Sequence, residues 1–359
     1  MFWYIYIRLL VIPHQSKQLK KKSSNSVSSI DVARLAGVSQ AAVSRTYTPG
    51  ASISDKTRRK VLAAAEQIGY QPNIIARSLS RRSTRLIGIV MAKIGDPFYA
   101  KILATFSRKL QDKGYWSLLL NVNDDLALDD ALPQALQYQV EGVVLTSTTL
   151  SSTMASHCKN LNVPVVMFNR FSWELDVNAV GCDHAGGARM LADLLIKAGH
   201  ERFAYISGEE DSSTNREREK GFTERLSDDG HALFARESGD YSYESGFTAA
   251  DRLLSTNGQP DALFCANDLM AMGAIDQARE LGLQVPGDLS VVGFDDVAMA
   301  AWEQYALTTI QQPMERLVSA TVDVLINAIE SREMERVIKV IPGRLVIRDS
   351  ARLPEKINI

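Results

Sequence analysis

The chain has 359 residues, of which 45% are hydrophobic and 23% charged, a composition that excludes a disordered protein and allows two or three domains. Its three cysteines stand alone in the sequence, which excludes a disulfide framework or a Cys-x-x-Cys metal pair and is typical of a reducing compartment. The formal net charge of −2 is unevenly spread, because residues 17–85 carry 14 Lys and Arg against three acidic residues. This basic segment indicates either a surface for a polyanion or a solvated basic tail.

Residues 1–28 join an apolar start to a polar tract. Residues 1–11 are apolar and aromatic apart from Arg8, and they are about half of the roughly 20 residues that a membrane span requires. The lysines at 20–22 follow this run, whereas a secretory signal places its positive charge before the apolar part. We therefore predict a disordered extension of a cytoplasmic protein, with a weak membrane anchor as the alternative.

Two helix signals follow, separated by a glycine. Ser29 is predicted to cap a first helix, and Gly37 to end it in the left-handed conformation. Ser39 is predicted to cap a second helix over residues 40–47. Two short helices around a glycine turn form a helix-turn-helix, whose second helix enters the DNA major groove. The positions expected to be buried are Val32, Leu35, Ala36 and Val43, and those expected to be exposed are Gln40, Ala41, Ser44 and Arg45.

A third helix is predicted over about residues 55–68, capped by Ser54. Its apolar positions are Val61, Leu62, Ala65 and Ile68. The runs IDVARLAGVSQAAVSR, TRRKVLAAAEQIGYQPN and ARSL resemble the LacI-type (lactose-repressor/galactose-repressor) family of bacterial transcription regulators. The resemblance covers residues 29–352 and implies a DNA-binding headpiece at 29–72, a hinge at 73–85 and an effector-binding core at 86–359. The run TYTPG after Arg45 departs from the family's commonest pattern, so the resemblance does not imply the structure of the loop after the second helix.

The resemblance also implies which residues meet DNA. Gln40 and Ala41 fall at the base-reading positions, since glutamine can pair with adenine and an alanine methyl can touch thymine. Arg45 is expected to contact either guanine or a phosphate. In the hinge, Leu79 corresponds to the leucine that wedges between base pairs when two hinge segments meet in the minor groove; the alternative is an ordinary linker residue. The expected DNA contacts are Ser39, Gln40, Ala41, Ser44, Arg45, Arg58, Ala76 and Leu79.

The region from residue 86 onward alternates short apolar runs with helical stretches. The clearest strand signals are at 86–91, 117–121, 142–145, 163–168, 203–206, 262–265 and 289–294. This alternation predicts an α/β core of doubly wound parallel sheets. By resemblance, the core has the two-lobed periplasmic-binding-protein-like fold, with the chain crossing between lobes near residues 181, 311 and 342.

Ligands of such sheets bind beyond the carboxyl ends of the strands. Family matching places eight effector-binding candidates there. Phe98 could stack on a ring, and Arg218 could grip vicinal hydroxyls or a carboxylate with two hydrogen bonds. Asp183 and Asp268 could equally be helix caps. The full set is Asp96, Phe98, Asn169, Asp183, Arg218, Asn267, Asp268 and Asp295.

The sequence therefore predicts a transcriptional regulator, most simply a repressor. Its expected partners are a near-palindromic double-stranded operator, a sugar or related metabolite, and a second copy of the chain bound through the lobe that carries residues 101–112. A solute-binding receptor of a transport system is the alternative, which the headpiece disfavours. No dinucleotide, phosphate-loop or zinc-protease motif is present, so we predict no catalytic residue, metal or cofactor.

Overall fold

The computed structural model describes residues 27–48, 50–72, 83–122, 128–146, 151–172, 174–255, 258–331 and 335–354. The chain divides into two compact units, residues 1–81 and 82–359. The hinge candidates Ala76 and Leu79, and nearly all of the extension at 1–28, lie outside the described residues. No helix in the described ranges is long and apolar enough to cross a membrane.

The described residues of the first unit form three helices, α1 (Ser29–Ala36), α2 (Gln40–Thr46) and α3 (Asp55–Gln67). Gly37 ends α1 at a φ of 65°, and Ser39 caps α2 by accepting a hydrogen bond from the Ala42 N–H, as the sequence predicts. The cap of α1 is Ser28, not Ser29. Ser28 accepts from the Asp31 N–H, and the Asp31 carboxylate accepts in return from the Ser28 N–H, so both orphan donors are satisfied.

The core of this unit is made of small side chains. Val32, Ala33, Val43 and Val61 are buried with Ala64 and Ala65. The prediction that Leu35 and Leu62 are buried is wrong, since they are 46% and 45% exposed. Three short helices that cross at alanines enclose little volume, so leucines at the edge of each apolar stripe stay at the surface.

Where the structure describes it, the second unit is built on two six-stranded sheets. The strands are β1 (Leu86–Met91), β2 (Trp116–Asn121), β3 (Gly142–Leu145), β4 (Val165–Phe168), β5 (Asn178–Cys182), β6 (Phe203–Ser207), β7 (Leu233–Ser238), β8 (Ala262–Cys265), β9 (Ser290–Asp295), β10 (Thr308–Gln311), β11 (Ile338–Ile341) and β12 (Arg344–Val346). The helices are α4 (Pro97–Asp112), α5 (Leu128–Gln137), α6 (Ser152–Asn160), α7 (His184–Lys197), α8 (Ser213–Asp228), α9 (Tyr243–Leu254), α10 (Asp268–Glu280) and α11 (Met314–Ser331).

Each sheet defines one lobe. Lobe 1 has the strand order β11-β5-β4-β3-β1-β2, with every pair parallel. Lobe 2 has the order β12-β10-β9-β8-β6-β7, and only β12 runs antiparallel to its neighbour. The chain passes between the sheets three times, after Cys182, after Gln311 and after Ile341. These passages make the core of doubly wound lobes that the resemblance implies.

The core strands are buried on both faces. Strands β3, β4, β5, β8 and β9 contain only buried residues. Continuous apolar strands between helices are expected of parallel sheets, because helices cover both surfaces. The polar side chains at the carboxyl ends of these strands are therefore the ones free to form a site.

Candidate functional site

The second helix of the first unit presents a polar surface. Gln40, Ala41, Ser44 and Arg45 are exposed on α2, while Ala42, Val43 and Thr46 are buried. The Gln40 Nε2 donates to the Ser29 Oγ across 3.0 Å, which orients the amide along the surface. The four candidates on this helix thus lie where a duplex could reach them.

Arg58 has a role inside this unit that sequence reasoning missed. Its Nη1 donates to the carbonyl of Thr46 at 3.1 Å, which is the last residue of α2. Carbonyls at a helix end have no partner within the helix, so this bond satisfies one of them and fixes α3 against α2. Neighbouring Lys56 is exposed and is the freer candidate for a phosphate.

A cleft of about 550 Å³, counting its open mouth, lies between the two lobes of the second unit. It sits beyond the carboxyl ends of β1 and β4 on one side and of β6, β7, β8 and β9 on the other. Six of the eight effector candidates line it: Asp96, Phe98, Asn169, Arg218, Asn267 and Asp295. The tertiary structure brings these six together from positions nearly 200 residues apart.

A chain of hydrogen bonds crosses the floor of the cleft. Asn169 Nδ2 donates to Gln312 Oε1 at 2.8 Å, and Gln312 Nε2 donates to Asp295 Oδ1 at 2.6 Å. Gln312 lies on the passage between β10 and α11, so the chain links the two lobes through one of their connections. If the lobes move relative to one another, these hydrogen bonds must either break or move together with the two lobes.

Arg218 is held on all sides. Its Nη2 lies 3.1 Å from Asp295 Oδ1, its Nη1 donates to the Ala266 carbonyl, and its guanidinium stacks 3.8 Å from the Phe294 ring centre. Its Nε donates to His184 Nδ1 at 3.3 Å. Burial, and next the Arg218 charge, lowers the pKa of His184 well below its ordinary value, so this imidazole is neutral. Burial raises the pKa of Asp295, and Arg218 opposes that rise.

Asp183 and Asp268 do not line the cleft. Asp183 caps α7 by accepting from the Gly186 N–H at 2.8 Å. Asp268 is fully buried and accepts from the Val297 N–H at 2.9 Å and from Thr309 Oγ1 at 2.5 Å. Their neighbour Asn267 does line the cleft, and it caps α10 while donating to the Tyr241 carbonyl.

Several lining residues escaped sequence reasoning. Lys93 and Arg170 from lobe 1 face Glu209 from lobe 2, with 2.6 Å and 3.8 Å between the charged atoms. The ring of Tyr241 lies directly on Gly208, where a Cβ would come within 2.1 Å of it. These residues follow strands β1, β4, β6 and β7, and their position just after a strand could have identified them as candidate ligand contacts. The missed set is Ala92, Lys93, Tyr99, Arg170, Glu209, Ser212, Thr214 and Tyr241.

The part of the chain that the structure describes contains no candidate metal-binding site. No three His, Cys, Asp or Glu side chains there are grouped so that they could hold an ion. Each of the three cysteines is buried, and burial raises the pKa of the Cys158 thiol to about 11. The cleft thus offers hydrogen bonds, ion pairs and aromatic faces, the groups that recognise a small molecule.

Two family descriptions match the chain. Residues 30–73 match "Bacterial regulatory proteins, lacI family", and residues 192–351 match "Periplasmic binding protein-like domain". The chain is 30% identical over 326 residues to the HTH-type transcriptional repressor PurR of Photobacterium profundum, which covers 90% of this chain and 98% of that protein. It is 31% identical over 330 residues to catabolite control protein A of Priestia megaterium, covering 90% and 98%.

Solved structures agree in fold. The lac repressor dimer bound to operator and the anti-inducer ONPF is 29% identical, with a TM-score of 0.83, and the match covers 90% of this chain and 98% of that one. The complex of the transcriptional regulator CelR with cellobiose is 29% identical, with a TM-score of 0.68 and coverage of 90% and 99%. The similarity therefore extends over both units of the chain.

Proposed function

The chain belongs to the LacI family of bacterial regulatory proteins, and we propose that it is a transcriptional repressor whose affinity for operator DNA is controlled by a small molecule bound between the lobes of its core. The observation that carries the proposal is the presence, on one chain, of an exposed α2 face and of a cleft where six polar and aromatic candidates converge. A ligand-controlled repressor needs both a surface that binds double-stranded DNA and a site that binds the ligand.

The reading of DNA follows from the α2 surface. Gln40 and Ala41 stand at the start of the helix, where side chains reach base edges once a helix enters the major groove. Ser39, Ser44 and Arg58 are proposed to bind phosphates, which sets the position of the helix without reading sequence. Arg45 is proposed to contact guanine or an adjacent phosphate.

Control by the ligand is proposed to act through the lobes. By the resemblance, residues 73–85 are proposed to act as a hinge that becomes helical only when two copies meet, since a helix of that length is marginal in water by itself. Two copies of the chain are proposed to hold their hinges together on a near-palindromic operator. A ligand that binds one arrangement of the lobes better than another shifts this equilibrium by its difference in affinity.

A cytoplasmic location is part of the proposal, because a bacterial repressor must reach its operator DNA inside the cell. A solute-binding receptor is the weaker candidate, since solute binding does not require the exposed surface of α2 that is proposed to bind DNA. The two relatives are named as a transcriptional repressor and as a catabolite control protein, and the proposal assigns no catalytic role.

The test is DNA binding by the full chain. Fragments flanking its own gene are titrated at several salt concentrations, with a shuffled fragment of equal length as the control. We expect one fragment to bind specifically, with an affinity that falls steeply as salt rises because phosphate contacts release counterions. Indifference to every fragment, with and without a metabolite extract, would reject a repressor and favour the receptor.

A further inference from the structure

The hydroxyl of Ser29 takes no part in capping α1. The cap is Ser28, whose hydroxyl accepts from the Asp31 N–H and donates to the Asp31 carboxylate at 2.7 Å. Ser29 is the first residue of the helix, and within the described ranges its Oγ has one hydrogen-bond partner, the Nε2 of Gln40 at 3.0 Å. The described contact of this hydroxyl is therefore with α2 and not with its own helix.

The contact joins the first residues of two helices that the core of the unit holds in place. Ser29 begins α1, and Gln40 begins α2 11 residues later. Val32 and Val43, each in the first turn of its helix, are buried in the same apolar cluster. Gln40 itself is exposed, so its acceptor on α1 is fixed to a packed backbone while the carboxamide faces solvent.

The bond to Ser29 decides which groups of Gln40 remain for a base. A carboxamide has one carbonyl oxygen and two N–H donors. With one N–H given to Ser29, Gln40 retains Oε1 and a single N–H. In the major groove adenine presents a donor at N6 beside an acceptor at N7, whereas guanine presents acceptors at both O6 and N7. The remaining pair of groups is thus complementary to adenine, and Oε1 would face O6 of guanine without a proton between them.

We propose that Ser29 is a positioning residue that holds the Gln40 carboxamide in the orientation that binds adenine and disfavours guanine. The inference rests on the proposed function of α2 and deepens it, because it assigns the discrimination between two purines to a residue of α1. Without Ser29 the carboxamide can turn about its terminal bond and offer both N–H donors to guanine. Prior ordering also lowers the cost of binding, since less side-chain freedom is lost when the helix meets a base.

The test is selection of DNA by the full chain from a library of duplexes in which about 30 central base pairs are randomised, enough for two half-sites at least one helical turn apart. Sequencing of the bound duplexes gives the preference at each position of the selected motif. Gln40→Ala identifies the position that Gln40 reads, because the preference there is lost. In the wild type we expect adenine to be favoured over guanine at that position.

Ser29→Ala should lower the ratio of adenine to guanine at this position about 3- to 10-fold, the range for one net hydrogen bond between neutral groups. Preferences at the other positions of the motif should stay as in the wild type. Ser29→Thr keeps a hydroxyl and should restore the ratio. In a chain that already carries Gln40→Ala, Ser29→Ala should have no further effect on base preference, because the two residues act as one unit.

Two other serines separate positioning from helix stability. Ser28→Ala removes the capping box, so it should weaken binding to all sequences alike and leave the ratio of adenine to guanine unchanged. Ser52→Ala is the matched control, because it removes an exposed hydroxyl between α2 and α3, and it should leave both affinity and ratio unchanged. A fall in the ratio in Ser28→Ala equal to that in Ser29→Ala would show a structural effect and overturn the proposal.

The outcomes separate the two proposals. A motif in which guanine is favoured at the position of Gln40, or an unchanged ratio in Ser29→Ala, overturns the role of Ser29 and leaves the DNA-binding regulator standing. A library from which the full chain selects no motif, with and without a metabolite extract, rejects the regulator together with this inference.

Discussion

Arg218 on α8 and Asp295 at the end of β9 form a buried ion pair, with 3.1 Å between Nη2 and Oδ1. The two side chains are 3% and 8% exposed, so the pair is nearly sealed from solvent. Gln312 adds a third member from the passage between the lobes. These contacts organise the floor of the cleft and fasten it to the segment that connects the lobes.

Breaking this pair should affect stability and ligand response together. Arg218→Ala leaves Asp295 buried without its cation, and we expect a loss of about 3–5 kcal/mol in the free energy of unfolding. Ligand response should disappear, while operator binding persists at temperatures where the variant is folded. Urea unfolding and operator titrations with and without ligand measure the two effects. Arg252→Ala, which breaks an exposed pair with Glu237, is the control and should cost no more than about 1 kcal/mol. Equal losses in the two variants would contradict the assignment.

His200 should make stability depend on pH. Burial, and next the charge of Arg352, lowers its pKa from 6.5 to about 4. The unfolded chain takes up this proton near pH 6.5 and the folded chain does not, so this stability contribution is fully present above pH 6.5 and is lost as the pH falls toward 4. The difference in unfolding free energy between the wild type and His200→Asn should shrink over that interval, by at most about 1.4 kcal/mol per pH unit. A difference that stays constant from about pH 4 to 7 would show that His200 does not cause the dependence.

Glu141 fixes the place where the hinge joins the core. Its Oε1 accepts from the Ser83 hydroxyl and from the Arg85 N–H, each at 2.7 Å. Glu141→Ala removes both bonds and should cost roughly 1–2 kcal/mol of stability. We also expect weaker specific operator binding and unchanged ligand affinity, because the cleft lies at the opposite ends of the strands. Glu141→Gln is the matched control, since its amide oxygen can accept both bonds. If both variants bind the operator like the wild type, this anchor has no part in DNA binding.

Substitutions at Gln40 and at Lys56 should weaken DNA binding in different ways. Gln40→Ala removes the proposed base-edge contact and should lower specific affinity by about 1–3 kcal/mol while relaxing the preference at one base pair. Lys56→Ala removes an exposed charge and should weaken binding to all sequences alike, with a salt slope smaller by about one. Titrations against the operator, single-base variants and a shuffled duplex separate the two. Uniform weakening by Gln40→Ala would assign that residue to the backbone instead.

Leu79 remains a prediction from the resemblance, outside the described residues. As a minor-groove wedge, it should contribute only where the duplex is kinked. Leu79→Ala should therefore reduce specific affinity far more than non-specific affinity. Competition titrations with operator and shuffled DNA measure both, and equal losses would indicate an ordinary linker residue.

The sequence by itself determined the local architecture. Caps at Ser39 and Ser54 and the left-handed Gly37 depend on hydrogen bonds and backbone sterics within a few residues, so they could be predicted with no knowledge of the fold. The apolar runs at β1, β3 and β8 match the observed strands for the same reason. The error at Ser29 is of one residue, because adjacent serines offer the same cap chemistry.

Only the tertiary structure decided which polar groups share the cleft. Three aspartates stand at or just after strand ends, Asp183, Asp268 and Asp295. The first caps a helix and the second accepts from a buried backbone N–H, so only the third faces the cleft. Leu35 and Leu62 fit apolar helix stripes, but the small three-helix unit has no room to bury them. Arg170 and Glu209 are 39 residues apart and meet only because two lobes approach each other. Such partners are chosen by packing between distant segments, which the order of residues along one segment does not specify.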